Sequence, residues 1–157
     1  MADEPLLPKD CHATSQDARP GTLAAVYRDA KQAKPAITVA SEVRAYENAA
    51  AAETYLDDTE DGLHRCPTQQ WDKEHYEGLR EGPVPELSGF DEMVPEVGRR
   101  AVDETGRKVD QTYVGLMGRK GEIIMGVSLI GPSGTEAQLQ RLAADALQRM
   151  HERLAEQ

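Results

Sequence analysis

The sequence predicts an α+β domain, an antiparallel sheet of about four to five strands packed against two or three helices. Three observations carry that reading. Segments near Val97 to Asp103, Lys108 to Met117 and Glu122 to Ile130 are separated by Glu104-Thr-Gly-Arg107 and Gly118-Arg-Lys-Gly121, short Gly-containing turns that suit a meander near 97–130. Leu139, Leu142, Ala143, Ala146, Leu147, Met150 and Leu154 then recur at i, i+3, i+4 and i+7, the stripe of an amphipathic helix. Upstream, Ile37, Val39, Ser41, Val43 and Ala45 alternate with Thr38, Glu42 and Arg44, the period of a half-buried strand.

In chain order, residues 1–20 contain Pro5, Pro8 and Pro20 without periodicity and read as an extended arm, with Leu6 and Leu7 available to pack it down. Residues 21–157 read as one domain, a length that buries about two-thirds of the unfolded chain's surface. Leu23, Val26, Tyr27 and Ala30 follow helical spacing, so Thr22 to Ala33 reads as a short helix stopped by Pro35. After the strand at 37–46, Asn48 supplies a cap for a helix whose apolar stripe is Ala52, Tyr55, Leu56, Thr59 and Leu63, ending near Gly62. Gly78, Gly82, Pro83, Pro85, Gly89 and Pro95 break every periodic run between 67 and 95, which reads as a long loop. The closing helix starts at a capping box, Thr135 with Gln138 or Ser133 with Glu136.

Composition narrows the partners. A net charge of −10 disfavours nucleic acid and anionic membrane surfaces, and aromatic residues at 4% leave the core to Leu, Val, Ile, Ala and Met. No apolar run reaches the roughly 18 residues that a spanning helix needs. The opening Met-Ala-Asp-Glu-Pro lacks the regions of a signal peptide, so an exported form implies a longer precursor whose leader and lipid anchor are absent from this chain.

Cys11 and Cys66 are too far apart for a CxxC motif. A bridge between them would close a long loop and place the chain in an oxidising compartment, whereas two reduced thiols would suit the cytosol. Cys11-His12 and His64-Arg-Cys66 also bring two Cys and two His together on paper, although adjacent Cys and His rarely both reach one tetrahedral ion. Asp57-Asp-Thr-Glu-Asp-Gly62 matches the start of a calcium loop, but its twelfth position is Thr68, so it reads as a solvated acidic face. The sequence therefore assigns no metal and no cofactor.

None of the sequence motifs for nucleophilic, metalloprotease or nucleotide chemistry occurs, which points away from an enzyme. Carboxylate pairs are too common for one to stand out. Trp71, Tyr76 and Phe90, grouped in the long loop, are the binding candidates by composition; the competing reading is that they pin the loop to the sheet.

The order of strand, helix ending at a Cys, long loop, Gly-Phe-Asp-Glu-Met at 89–93, meander, Gly-x-Pro turn and closing helix resembles the PknH-type extracytoplasmic sensor domain. That domain occurs on receptor kinases and on secreted lipoproteins of actinobacteria. The echoes are Ile37-Thr-Val-Ala-Ser-Glu-Val-Arg-Ala-Tyr46 with the Ala-rich helix and Cys66, and Met117-Gly-Arg-Lys-Gly-Glu-Ile-Ile-Met125, over roughly residues 36–155. The resemblance implies a sensor-like lipoprotein domain outside the cytoplasm, recognising an envelope ligand or touching a membrane signalling protein. A cytosolic protein-interaction module is the alternative, and a hydrolase a third.

Overall fold

The computed structural model describes residues 10–13 and 22–157. Ten elements follow one another: β1 (His12–Ala13), β2 (Thr22–Ala33), β3 (Ala36–Tyr46), α1 (Ala49–Arg65), β4 (Gln69–Trp71), β5 (Glu74–Glu81), β6 (Glu92–Val102), β7 (Lys108–Lys120), β8 (Ile123–Pro132) and α2 (Glu136–Ala155). All the strands join one curled half-barrel sheet in the order β1-β4-β5-β6-β7-β8-β3-β2. Seven of them run antiparallel, and β1 adds in parallel to β4 at one edge.

The molecule is thus mostly sheet, which corrects the expected α+β domain with a sheet of four to five strands; two helices accompany it. Two segments account for the difference. Thr22 to Ala33 is a strand, paired residue by residue with β3 from Ala24↔Ala45 to Ala33↔Ala36, because ladder hydrogen bonds outweigh the weak helical preference of an Ala-rich run. The presumed loop at 67–95 contains β4 and β5; β5 carries irregularities between Glu77 and Arg80, where Gly78 takes a positive φ, so no clean period survives. The proposed arm falls mostly outside the described residues, including Leu6, Leu7 and the three prolines.

The sheet has helices on opposite faces. Strand alternation sends Val114 and Leu116 of β7 and Met125, Val127 and Leu129 of β8 to the α2 side, where they pack with Ile37, Val97, Leu139, Ala143 and Leu147 in a fully buried core. Burying each Leu there contributes about 1.5–3 kcal/mol. Thr135 precedes α2, but its hydroxyl donates to the Pro132 carbonyl at 2.6 Å and no side chain caps the helix.

On the other face, α1 packs Ala52, Tyr55, Leu56 and Leu63 against Tyr46, Leu79, Val94 and Ile124. Asn48 accepts a hydrogen bond from the Ala51 backbone N–H at 2.9 Å, satisfying one of the first-turn donors. Gly62 is buried inside this helix, which continues to Arg65 with Cys66 as its C-cap, so the acidic run 57–62 is helical.

Candidate functional site

The two faces differ in how completely they are covered. On the α2 side the central strands present buried aliphatic side chains; on the α1 side, α1 covers only one end. Beyond it, Thr38, Ala40, Glu42, Arg44, Glu96, Tyr113 and Ser128 remain half-buried. The ladder registers align these residues in rows. One row reads Tyr27, Glu42, Gly126, Met117, Val94, and the next Asp29, Ala40, Ser128, Gly115, Glu96. A third reads Lys31, Thr38, Ile130, Tyr113, Gly98. Small residues occupy the middle of the second row, and larger polar ones its ends. With the curl of the sheet this makes a trough, floored by Ala40, Ser128 and Gly115 and closed at one end by α1.

Several polar groups of the trough are partnered with one another. Tyr113 donates its phenolic proton to Glu96. A Cβ at Gly115 would stand 2.6 Å from Glu96 Oε1 and 2.8 Å from Tyr113 Oη, so only glycine leaves room for the pair. Burial raises the Glu96 carboxyl above the usual range, the bond from Tyr113 opposes the rise, and the negative charge of Glu42 adds to it. Burial likewise raises the Tyr113 hydroxyl, with Glu96 adding to the effect. Across the floor, Glu42 lies over Gly126, where a Cβ would come within 3.0 Å of its Cγ.

Arg44 donates from Nε to Glu42 at 2.8 Å and stacks between two rings, 5.0 Å from the Tyr55 centroid and 5.4 Å from that of Tyr27. At the other end, Tyr76 meets Tyr113 edge-on at 5.0 Å and donates to Glu74, which also accepts from Arg100 at 2.7 Å. Arg100 further binds Glu104 and Gln111. All five tyrosines of the chain therefore lie on this face, four of them in the α1 cluster or packed against it and Tyr27 over Arg44.

The arrangement offers aromatic surface, the guanidiniums of Arg44 and Arg100 at its ends, and carboxyl and hydroxyl groups for hydrogen bonding. Ser128 and Tyr113 share the floor, while the four histidines lie elsewhere: His12 on β1, His64 beside Glu81 at 3.6 Å, His75 near the start of β5, and His151 against Phe90. Among the described residues no group of three or more His, Cys, Asp or Glu is arranged to hold a metal ion. The trough suits non-covalent recognition.

Trp71, Tyr76 and Phe90 belong to three separate clusters. Trp71 packs beside the Cys11–Cys66 pair and donates from its indole to Gln69 Oε1 at 2.9 Å. Tyr76 joins the trough. Phe90 packs into the α2 core and lies 4.9 Å from the His151 ring. Glu42, Arg44, Glu96, Tyr113 and Ser128 were not singled out from the sequence. The usable signal was positional: glycines at 115 and 126, mid-strand, where a side chain from the neighbouring strand needs space.

Cys11 and Cys66 are joined by a disulfide across 55 positions, fixing β1 beside β4 at the exit of α1. Both sulfurs are committed to each other, which removes the Cys2His2 arrangement.

No family model matches the chain, and neither does any curated protein sequence. Among solved structures, the extracellular domain of PknH from Mycobacterium tuberculosis is similar in fold, with a TM-score of 0.54 over 85% of this chain, at 13% identity. This chain spans 66% of that domain's length. At such identity the likeness is one of fold.

Proposed function

We propose that the chain is a non-catalytic extracytoplasmic domain of sensor type, which binds an envelope ligand in the trough or through it modulates a membrane signalling protein. The carrying observation is the Cys11–Cys66 disulfide in a fold shared with an extracellular domain. The uncovered trough supports the recognition part, since its aromatic and hydrogen-bonding groups are held in place before any ligand arrives. On this reading the native precursor carries an export signal and a lipid anchor.

Two measurements test it. Alkylation of the native protein in fractionated host cells is expected to find both cysteines blocked and the protein outside the cytoplasm; free thiols in a cytosolic fraction would overturn the assignment. Titrating the labelled protein with solubilised envelope fractions is expected to shift the amide resonances of Glu42, Glu96, Tyr113 and Ser128. Shifts confined to the α2 face would reject the trough. The open edge of β2 favours a second reading, a protein-interaction module, and the same fractionation separates the two.

A further inference from the structure

Strand β2 is the outer strand at one end of the sheet, twelve residues long, and eleven of its residues are exposed. Neither helix covers either of its faces, and Leu23, Val26 and Tyr27 are 66%, 56% and 57% exposed. Among the described residues an edge this long presents a row of unpaired backbone donors and acceptors, a template for another strand. At the opposite end the sheet finishes in the two-residue β1 and the three-residue β4.

We propose that β2 pairs antiparallel with β2 of a second copy of this chain, about a two-fold axis at Ala30. The choice of occupant and register comes from charge. A two-fold normal to the sheet keeps faces matched, so residues placed opposite one another share parity and side. An axis at Arg28, Asp29 or Lys31 would set a charge against its own copy. An axis at Val26 or Tyr27 sets Asp29 or Lys31 against Leu23. With the axis at Ala30, Asp29 faces Lys31 of the second copy and Lys31 faces Asp29, while Arg28 faces Gln32 on the other side and Tyr27 meets Ala33. Opposite charges placed directly across a ladder stabilise it, and like charges weaken it.

Two of these groups, Asp29 and Lys31, have small or uncharged neighbours in the chain's own ladder. Asp29 and Lys31 stand opposite Ala40 and Thr38 in the β2–β3 ladder, and among the described residues neither makes a close ion pair; Lys31 acts on Glu104 only through space. Odd-numbered β2 residues face the trough, so the dimer adds Tyr27, Asp29 and Lys31 of the second copy to its rim. The two troughs then open side by side on one surface. This inference stands independently of the proposed export.

Sedimentation of the full chain over a concentration series tests it. Wild-type protein is expected to dimerise reversibly, and K31E and D29K each to weaken the dimer by about tenfold or more, since two attractive pairs become repulsive. Mixed together, the two variants restore opposite charges at both positions and should form a heterodimer; the double swap D29K/K31E should dimerise like wild type. Recovery in the mixture also shows that each single variant is folded. A wild-type chain that stays monomeric, or single variants that dimerise unchanged, would overturn the proposal.

Discussion

Tyr113 donates its phenolic proton to Glu96 on the adjacent strand directly above Gly115, on the half of the sheet that α1 leaves uncovered. Their pairing leads to two expected effects on stability, one of pH and one of added volume.

The pH effect has a definite sign. Glu96 is held protonated to higher pH in the folded chain than in the unfolded one, where an ordinary Glu titrates at about 4.3. The folded state therefore binds more protons, and this group's contribution to stability falls as pH rises from there through its folded value. E96Q keeps an acceptor for Tyr113 and has nothing to ionise. The melting temperature of E96Q minus that of wild type is expected to be near zero around pH 4 and to grow toward pH 7–8; a constant difference would contradict the raised carboxyl.

The volume effect centres on Gly115. In G115A the new methyl would meet both Glu96 and Tyr113 at less than contact distance, so the pair must separate or the strands must shift. A loss of roughly 1–3 kcal/mol in urea unfolding is expected. E96A/G115A should recover part of it, because the methyl then occupies vacated space, and a double variant no more stable than G115A would place the strain elsewhere.

Removing the disulfide should cost more than either. Replacing both cysteines by serine frees a loop with a sequence separation of 55. The chain-entropy estimate is about 4 kcal/mol, a fall of roughly 8–16 °C in melting temperature for a domain of this size. Differential scanning calorimetry of the double variant beside oxidised wild type measures this directly, and an unchanged melting curve would show that β1 is held without the bridge.

The β6–β7 turn supplies a prediction of opposite sign. Asp103 accepts from the backbone N–H of Thr105 at 2.9 Å and of Arg107 at 3.0 Å, and from the Thr105 hydroxyl at 2.6 Å. The Thr105 hydroxyl most of all, with these backbone donors, lowers its carboxyl to about 2. Because the folded value is depressed, its contribution is present above the unfolded value of ~3.9 and disappears as pH falls toward about 2. D103N should therefore lower the melting temperature at pH 5–7 and match wild type near pH 2.

What the sequence made legible follows from how each element is stabilised. Helix α2 and the β6–β8 meander bury one continuous stripe or alternate residues, and their periods are plain in Leu139 to Leu147 and Met125 to Leu129. The stripe of α1, from Ala52 to Leu63, is legible for the same reason. Strand β2 buries neither face, so its sequence carries no strand period, and the chance spacing of Leu23, Val26, Tyr27 and Ala30 imitates a helix. Strand β5 was hidden by its irregularities around Gly78. The trough escaped because it is assembled from single residues of β2, β3, β6, β7 and β8, each unremarkable in its own stretch of chain. Only the ladder registers bring Glu42, Ser128 and Glu96 onto one surface.

The sheet's unequal margins limit what self-association can build. Hydrogen-bonded growth of a sheet needs two usable borders per molecule, one to receive and one to offer. Among the described residues a short strand, clamped by a covalent cross-link, forms the far border, so the proposed union through the long one would occupy the longer border of each partner. Pairing of that kind would give closed two-fold pairs in place of filaments.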